Sequence, residues 1–175
     1  TRDGVLVVHH DPTLERCTNG SGPLVQYSLA ELQQLDAGFH FSPDGVTFPR
    51  RGLGVRIPTL REVLTTLPDV RVNLEVKPDV QGIELVLADE VRSLGALERL
   101  CIGSESDVIA ERLVKTLPEA CHFFPREALT AFVLGALGGD GSTPDPRFHI
   151  ADMPAEYEGM PLITPELINT ARTHG

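Results

Sequence analysis

No stretch of this sequence approaches the roughly 20 consecutive apolar residues that a membrane-crossing helix needs, so a transmembrane reading falls away. Positive charge is scarce: fifteen Lys and Arg stand against twenty-five Asp and Glu, a net charge of −10. A broad electrostatic grip on nucleic acid or anionic lipid is therefore disfavoured, and a local anionic ligand has to be met by a metal or by a few focused donors. Cysteine is scarce too. Cys17, Cys101 and Cys121 are odd in number, far apart and without a C-x-x-C pair, so neither a disulfide framework nor a cysteine zinc site is suggested. Cys101 and Cys121 sit in apolar runs, where core is the ordinary reading. There is no initiating Met, no signal-peptide pattern and no repeat of fixed period. The chain thus reads as processed or partial, and its compartment stays open, with the cytoplasm as the default.

What is present is 175 residues and 19.0 kDa, with 41% hydrophobic and 23% charged residues, one ordinary soluble domain over 1–175. Val5 to Val8 is an aliphatic, β-branched run ending at His9-His10-Asp11-Pro12, which predicts a strand buried on both faces. Ser28-Leu29-Ala30-Glu31 has capping-box spacing and predicts a helix over 28–37 stopped by Gly38. Thr59-Leu60-Arg61-Glu62 repeats the device and opens a second helix ending before Pro68. Arg71 to Lys77 predicts a strand, 82–94 a helix, 99–104 a strand, 106–117 a helix, 120–124 a short strand and 126–137 a helix. Phe148 to Met153 is strand-like, and Thr164-Pro165 caps a last helix. Regular alternation of this kind argues for a parallel α/β sheet or barrel. Phe39 to Arg56 and Gly138 to Arg147 interrupt it as loops rich in Gly, Pro and charge.

On the Arg71–Lys77 strand, Asn73, Glu75 and Lys77 share one face and Val72, Leu74 and Val76 the other, because side chains alternate. A row of Asn, Glu and Lys inside a sheet is costly unless used. Two readings stay open, a functional face or a structural Glu75–Lys77 pair. Near a strand's C-terminal end these residues would stand where a parallel barrel opens its active site. His10 closes the first predicted strand at the equivalent place, and an imidazole can move protons at neutral pH. His9 points the other way and is read as structural. Arg50, Arg51 and Arg56 form a basic cluster in a Gly-Pro loop, for which solvated surface is the ordinary reading and phosphate contact the alternative.

The stretch from Thr1 to Arg16 followed by Thr18-Asn19-Gly20, with Ser28 to Gly38, Phe48-Pro49-Arg50-Arg51-Gly52, Ile57 to Leu64 and Asn73-Leu74-Glu75-Val76-Lys77-Pro78, resembles the glycerophosphodiester phosphodiesterases. The order and spacing of these segments over 1–79 carry the resemblance. Beyond residue 80 it is weaker, in Ile102-Gly103-Ser104 and Pro161 to Gly175. The resemblance implies a TIM-type (β/α) barrel of the phospholipase-C-like phosphodiesterase kind. It implies metal-dependent hydrolysis of glycerophosphodiesters to glycerol 3-phosphate and an alcohol by general acid–base catalysis. It makes His10 a catalytic histidine, Glu75 a ligand of a divalent metal (Mg²⁺ or Ca²⁺, or Mn²⁺), and Lys77 a neighbour of the substrate phosphate. Arg16, Arg50 and Arg51 are added as candidate substrate contacts. The implied partner is a small-molecule glycerophosphodiester, with no nucleic acid and no membrane span.

Members of this family also carry a His-Arg-Gly strand and a Glu-x-Asp strand upstream, and a Trp-Thr-x-Asn strand late in the chain. None of these occurs in the 175 residues, so the chain is expected to be a central portion of such a barrel. The alternatives are a catalytically incomplete scaffold that binds or interacts, or a phosphodiesterase of a neighbouring lipid substrate class.

Overall fold

The computed structural model describes residues 1–138 and 143–174, and it divides into two compact units, Thr1–Pro68 and Asp69–Gly175. In the first unit, α1 (Leu29–Leu32) and α2 (Leu60–Thr66) each open on the predicted capping box. Ser28 Oγ accepts from the Glu31 N–H at 3.3 Å and Thr59 Oγ1 from the Glu62 N–H at 3.1 Å. The Glu31 and Glu62 carboxylates accept in return from the cap N–H groups, at 2.7 Å each. These donors have no partner inside a helix, so the reciprocal pair fixes where each helix begins.

The helix predicted over 28–37 is shorter than expected. After Leu32 the backbone tightens into turns, with Gln34 N–H to Glu31 O and Leu35 N–H to Leu32 O at 3.1 Å each. Asp36 explains the stop. Its N–H donates to Asn19 Oδ1 at 2.8 Å, and its carboxylate accepts from Gly38 N–H at 2.9 Å and Gly52 N–H at 2.7 Å, which draws the chain into a loop. Gly38 serves close approach, since a Cβ there would stand 2.7 Å from the Arg50 carbonyl oxygen.

The strand predicted at Val5–Val8 is also corrected. A strand needs a partner edge along its length, and here only Val7 bridges, antiparallel to Thr59, with Val8 N–H to Pro58 O and Leu60 N–H to Leu6 O at 2.9 Å each. Val8 is exposed, so burial on both faces fails as well. The apolar residues of this unit are gathered by loops instead: Leu14, Leu24, Leu32 and Ile57 form its core, with Val7, Tyr27, Leu35 and Ala37 packed around them.

The second unit follows the predicted alternation: β1 (Val72–Glu75), α3 (Ile83–Ser93), β2 (Leu100–Gly103), α4 (Asp107–Thr116), β3 (Cys121–His122) and α5 (Arg126–Gly138). The strands are parallel in the order β1-β2-β3, with Glu75 opposite Gly103 and Cys101 opposite Cys121. β2 lies between its neighbours and all four of its residues are buried, which is why it reads as a continuous apolar run. α3 buries Leu87, Ala88 and Val91, and α4 buries Ile109, Ala110 and Leu113. His122 is buried with Nδ1 2.9 Å from Ile102 O and Nε2 2.8 Å from Leu117 O, so one ring spans the end of α4 and the neighbouring strand. Further along, Phe124, Phe132, Val133, Phe148 and Leu167 close a second cluster with Ala110.

Phe148 to Met153 is not a strand. Ile150 makes one parallel bridge to Phe123, supported by Phe124 N–H to Ile150 O at 2.9 Å and His149 N–H to His122 O at 2.7 Å. Pro144, Pro146 and Pro154 bracket this segment and supply no N–H to lengthen the ladder. A hairpin absent from the sequence reading follows: β4 (Glu156–Tyr157) pairs antiparallel with β5 (Met160–Pro161). Its turn residues Glu158 and Gly159 have φ of 50° and 79°, and a glutamate at positive φ is not a turn signal. α6 (Pro165–His174) starts as predicted, with Thr164 Oγ1 accepting from Leu167 N–H at 3.2 Å. Of the predicted loop 138–147, residues 139–142 lie outside the described residues. No helix among the described residues is long and apolar enough to cross a membrane.

Candidate functional site

The chemistry-bearing residues fall into two groups, one in each unit. In the first unit His10 is exposed, and its Nδ1 stands 2.6 Å from Asp11 Oδ1. Asp11 is gripped from the other side by Arg16, whose Nη2 donates to Oδ1 at 2.9 Å and whose Nε donates to Oδ2. The Arg16 guanidinium first, and the His10 ring second, hold the Asp11 carboxyl far below the usual carboxylate range, and Asp11 in turn raises Arg16. A carboxylate that stays ionised favours the tautomer with the imidazole proton on Nδ1, which makes Nε2 the unprotonated nitrogen. Arg16 therefore spends two of its donors on Asp11.

Asp11 was not singled out from the sequence, although its position beside His10 and five residues before Arg16 was a signal. The loop carrying this trio is braced by Leu14 N–H to Gly22 O and Leu24 N–H to Pro12 O, at 3.1 and 3.0 Å. Buried Thr18 closes it from inside, donating to Leu14 O at 2.8 Å and accepting from Gly20 N–H at 2.9 Å. His9 turns inward, with Nε2 3.1 Å from Thr13 O, in keeping with a structural role.

In the second unit Asn73 and Glu75 are on the open face of β1, Val72 and Leu74 on the packed face, and Lys77 follows at the strand's end. Lys77 Nζ is 2.8 Å from Glu75 Oε2, with about a third of each side chain exposed (39% and 34%). Asn73 donates to Asp152 Oδ2 at 2.6 Å, across 79 residues of sequence. Nothing in the sequence singled out Asp152. Ser104, buried at the end of β2, donates to Val76 O at 2.6 Å and accepts from Ser106 N–H at 3.2 Å, which ties the strand ends together beside Glu75. On the Asn73 face the register continues through Cys101 and Cys121; both are free thiols, and burial, then Cys121, pushes the Cys101 thiol up to about 12.

Arg50 and Arg51 lie on the Phe39–Arg56 loop. Arg51 is held between two rings, its guanidinium carbon 4.2 Å from the centroid of Phe39 and 3.9 Å from that of Phe48, while its Nε donates to Phe39 O at 2.8 Å. Arg56 donates to Gln33 O.

A hard divalent cation takes about six oxygens, several of them from carboxylates. Among the described residues no three His, Cys, Asp or Glu side chains are grouped to hold one, and Glu75 is occupied by an ammonium. These residues do not by themselves make a metal cage.

Known proteins resemble this chain in sequence and in fold. A model described as the glycerophosphoryl diester phosphodiesterase family matches residues 1–170. The chain is similar to a glycerophosphodiester phosphodiesterase of Caldanaerobacter subterraneus, 38% identical over 109 residues, covering 59% of this chain and 42% of that protein. A crystal structure of a glycerophosphodiester phosphodiesterase from Agrobacterium tumefaciens matches with a TM-score of 0.74 at 28% identity, over 100% of this chain and 67% of that one. An Oleispira antarctica phosphodiesterase, solved in complex with the product sn-glycerol-3-phosphate, matches with a TM-score of 0.52 at 31% identity, over 70% of this chain and 49% of that one. The chain spans less than half the length of several curated relatives that it matches. It is an α/β chain of the TIM-type barrel class, and it belongs to the glycerophosphoryl diester phosphodiesterase family.

Proposed function

We propose that this chain contributes to metal-dependent hydrolysis of glycerophosphodiesters, which adds water across one phosphodiester bond and yields glycerol 3-phosphate and an alcohol. The observation that carries this reading is the His10–Asp11–Arg16 arrangement, in which a carboxylate locked in its ionised form holds His10 Nδ1 at 2.6 Å. With Nδ1–H donated to Asp11, Nε2 is the atom that takes a proton from an attacking oxygen or returns one to a leaving oxygen. Asp11 is then a positioning residue that orients the His10 ring, and Arg16 keeps Asp11 charged.

Lys77 is the residue we assign to a phosphoryl oxygen. Its ion pair with Glu75 is partly exposed and exchangeable, so an incoming phosphate diester would compete for the ammonium and place positive charge where negative charge develops. Glu75 is the one carboxylate of this chain that we assign to a divalent metal. Glu75 would be one ligand of such an ion, whose chemistry there would be to neutralise charge at the phosphorus, and other groups would have to complete its site. Arg50 and Arg51 remain candidate phosphate contacts.

The test is release of glycerol 3-phosphate from glycerophosphocholine, with and without EDTA. Replacing His10 by Ala is expected to lower kcat by a factor of about 10² to 10⁴, the usual worth of one proton-transfer group, with a smaller change in KM. Asp11→Asn is expected to displace a limb of the pH–rate profile that Asp11→Glu restores. Turnover indifferent to His10→Ala would remove the proposed role.

A further inference from the structure

The two most exposed large apolar side chains among the described residues, Val46 at 78% and Leu53 at 64%, stand on one loop, and Phe41 at 53% joins them there. Phe48 and Val55, also exposed, belong to the same loop. This exposure is built by the fold. Ala37 N–H donates to Val55 O at 2.8 Å and closes the base of the loop, and the Asp36 carboxylate bonds both arms through Gly38 and Gly52. Inside the loop Asp44 accepts from the N–H groups of Val46 and Thr47 at 2.9 and 2.7 Å. A loop with its ends tied and its interior hydrogen-bonded is an Ω-type surface element, a form often given to function. Scattered single apolar residues on a surface need no explanation, but five exposed ones on one tied loop do.

The charge on this loop runs against the rest of the chain. From Phe39 to Arg56 there are three arginines and one carboxylate, in a protein of net charge −10. That carboxylate, Asp44, is turned inward onto its own backbone. Arg51 lies flat between the Phe39 and Phe48 rings, and neither Arg50 nor Arg51 has an ion pair among the described residues. A guanidinium stacked on Phe39 and on exposed Phe48, with exposed aliphatic side chains on the same loop, suits a boundary between hydrocarbon and phosphate. A second copy of the chain joined symmetrically through this patch would set the arginines against themselves.

We propose that the Phe39–Arg56 loop is a docking surface for a phospholipid bilayer bearing anionic headgroups. Val46, Leu53 and Phe41 enter the headgroup layer, and Arg50 and Arg51 contact lipid phosphates. Outside this loop the chain is acidic, so the same lipids repel the rest of it at short range and the loop is the part that they attract. Because Arg50 and Arg51 are also candidate substrate contacts, the variant that separates this inference from the proposed reaction is Val46→Asp with Leu53→Asp, which touches neither arginine.

The experiment is sedimentation of the 175-residue protein with vesicles of phosphatidylcholine alone or mixed with phosphatidylglycerol, across a salt series. Binding is expected to the anionic vesicles, weakening as salt rises. Val46→Asp with Leu53→Asp should lower the affinity by about tenfold or more per side chain, and Arg50→Gln should flatten the salt dependence. Because the chain has no tryptophan, Val46→Trp gives a single reporter in an exposed position. Its emission is expected to shift to the blue with anionic vesicles and to be quenched by brominated acyl chains. No binding to anionic vesicles, binding that the aspartate variant retains, or a concentration-dependent dimer that this variant abolishes would overturn the proposal.

Discussion

Replacing Gly103 by Ala tests how tightly the row of residues beside Glu75 is built. Gly103 ends β2, directly opposite Glu75 on β1, and its carbonyl oxygen accepts from the Val76 N–H at 2.8 Å. A Cβ at Gly103 would stand 2.7, 2.8 and 2.8 Å from Cδ1, Cδ2 and Cε1 of Phe123, and real Cβ contacts begin beyond 3.0 Å. Ordinary contact would require the ring to move by several tenths of an ångström at least. Phe123 is only 4% exposed, so it has no open side to move into, and Gly103 is pinned by the ladder to Val76. Overpacking of this kind costs about 1–3 kcal/mol. For a domain of this size each kcal/mol lowers the melting temperature by about 2–4 °C, so Gly103→Ala should melt roughly 2–12 °C lower, followed by circular dichroism. Gly138, the last residue of α5, is the control, because a Cβ there meets nothing within 4 Å among the described residues. Gly138→Ala should be neutral or stabilise by about 0.4–1 kcal/mol through the unfolded state. A Gly103→Ala protein that melts at or above the unsubstituted protein would refute the reasoning, since it would mean that Phe123 does not fill this space.

Two further expectations concern stability. Ser28→Ala and Thr59→Ala each remove a hydroxyl that accepts from the third residue of its helix, and each should cost about 1 kcal/mol in urea unfolding, with the slope unchanged. The carboxyls of Asp11, Glu31, Asp44 and Glu62 are all lowered, Asp11 chiefly by Arg16 and the other three chiefly by backbone N–H groups. Each binds fewer protons folded than unfolded in acid, so their stabilisation is complete above about pH 5 and is lost as pH falls through the depressed values. Melting temperature should therefore decline from pH 5 downward, and a flat profile across that range would contradict the observed pairing.

The helix starts were legible because a capping box is a contact between residues three apart: Ser28 with Glu31 and Thr59 with Glu62 need nothing from the rest of the chain. The same locality made the face of β1 legible. Alternation alone puts Asn73 and Glu75 on one side and Val72 and Leu74 on the other, and a buried β2 announces itself as an unbroken apolar run. What alternation could not supply was a partner. Val5 to Val8 has the composition of a buried strand, yet strand formation depends on another edge along its length, and only Val7 finds one, at Thr59.

The candidate site divides in the same way. His10, Glu75 and Lys77 were identifiable from residue type and position, and the pairing of Lys77 with Glu75 was one of the two readings their spacing allowed. Asp11 as the brace of His10, Asp152 on Asn73, and Arg51 between Phe39 and Phe48 came only from the folded chain. Hydrogen bonds and ring contacts act over about 3 to 6 Å, and the packing of distant segments decides which side chains come within that range.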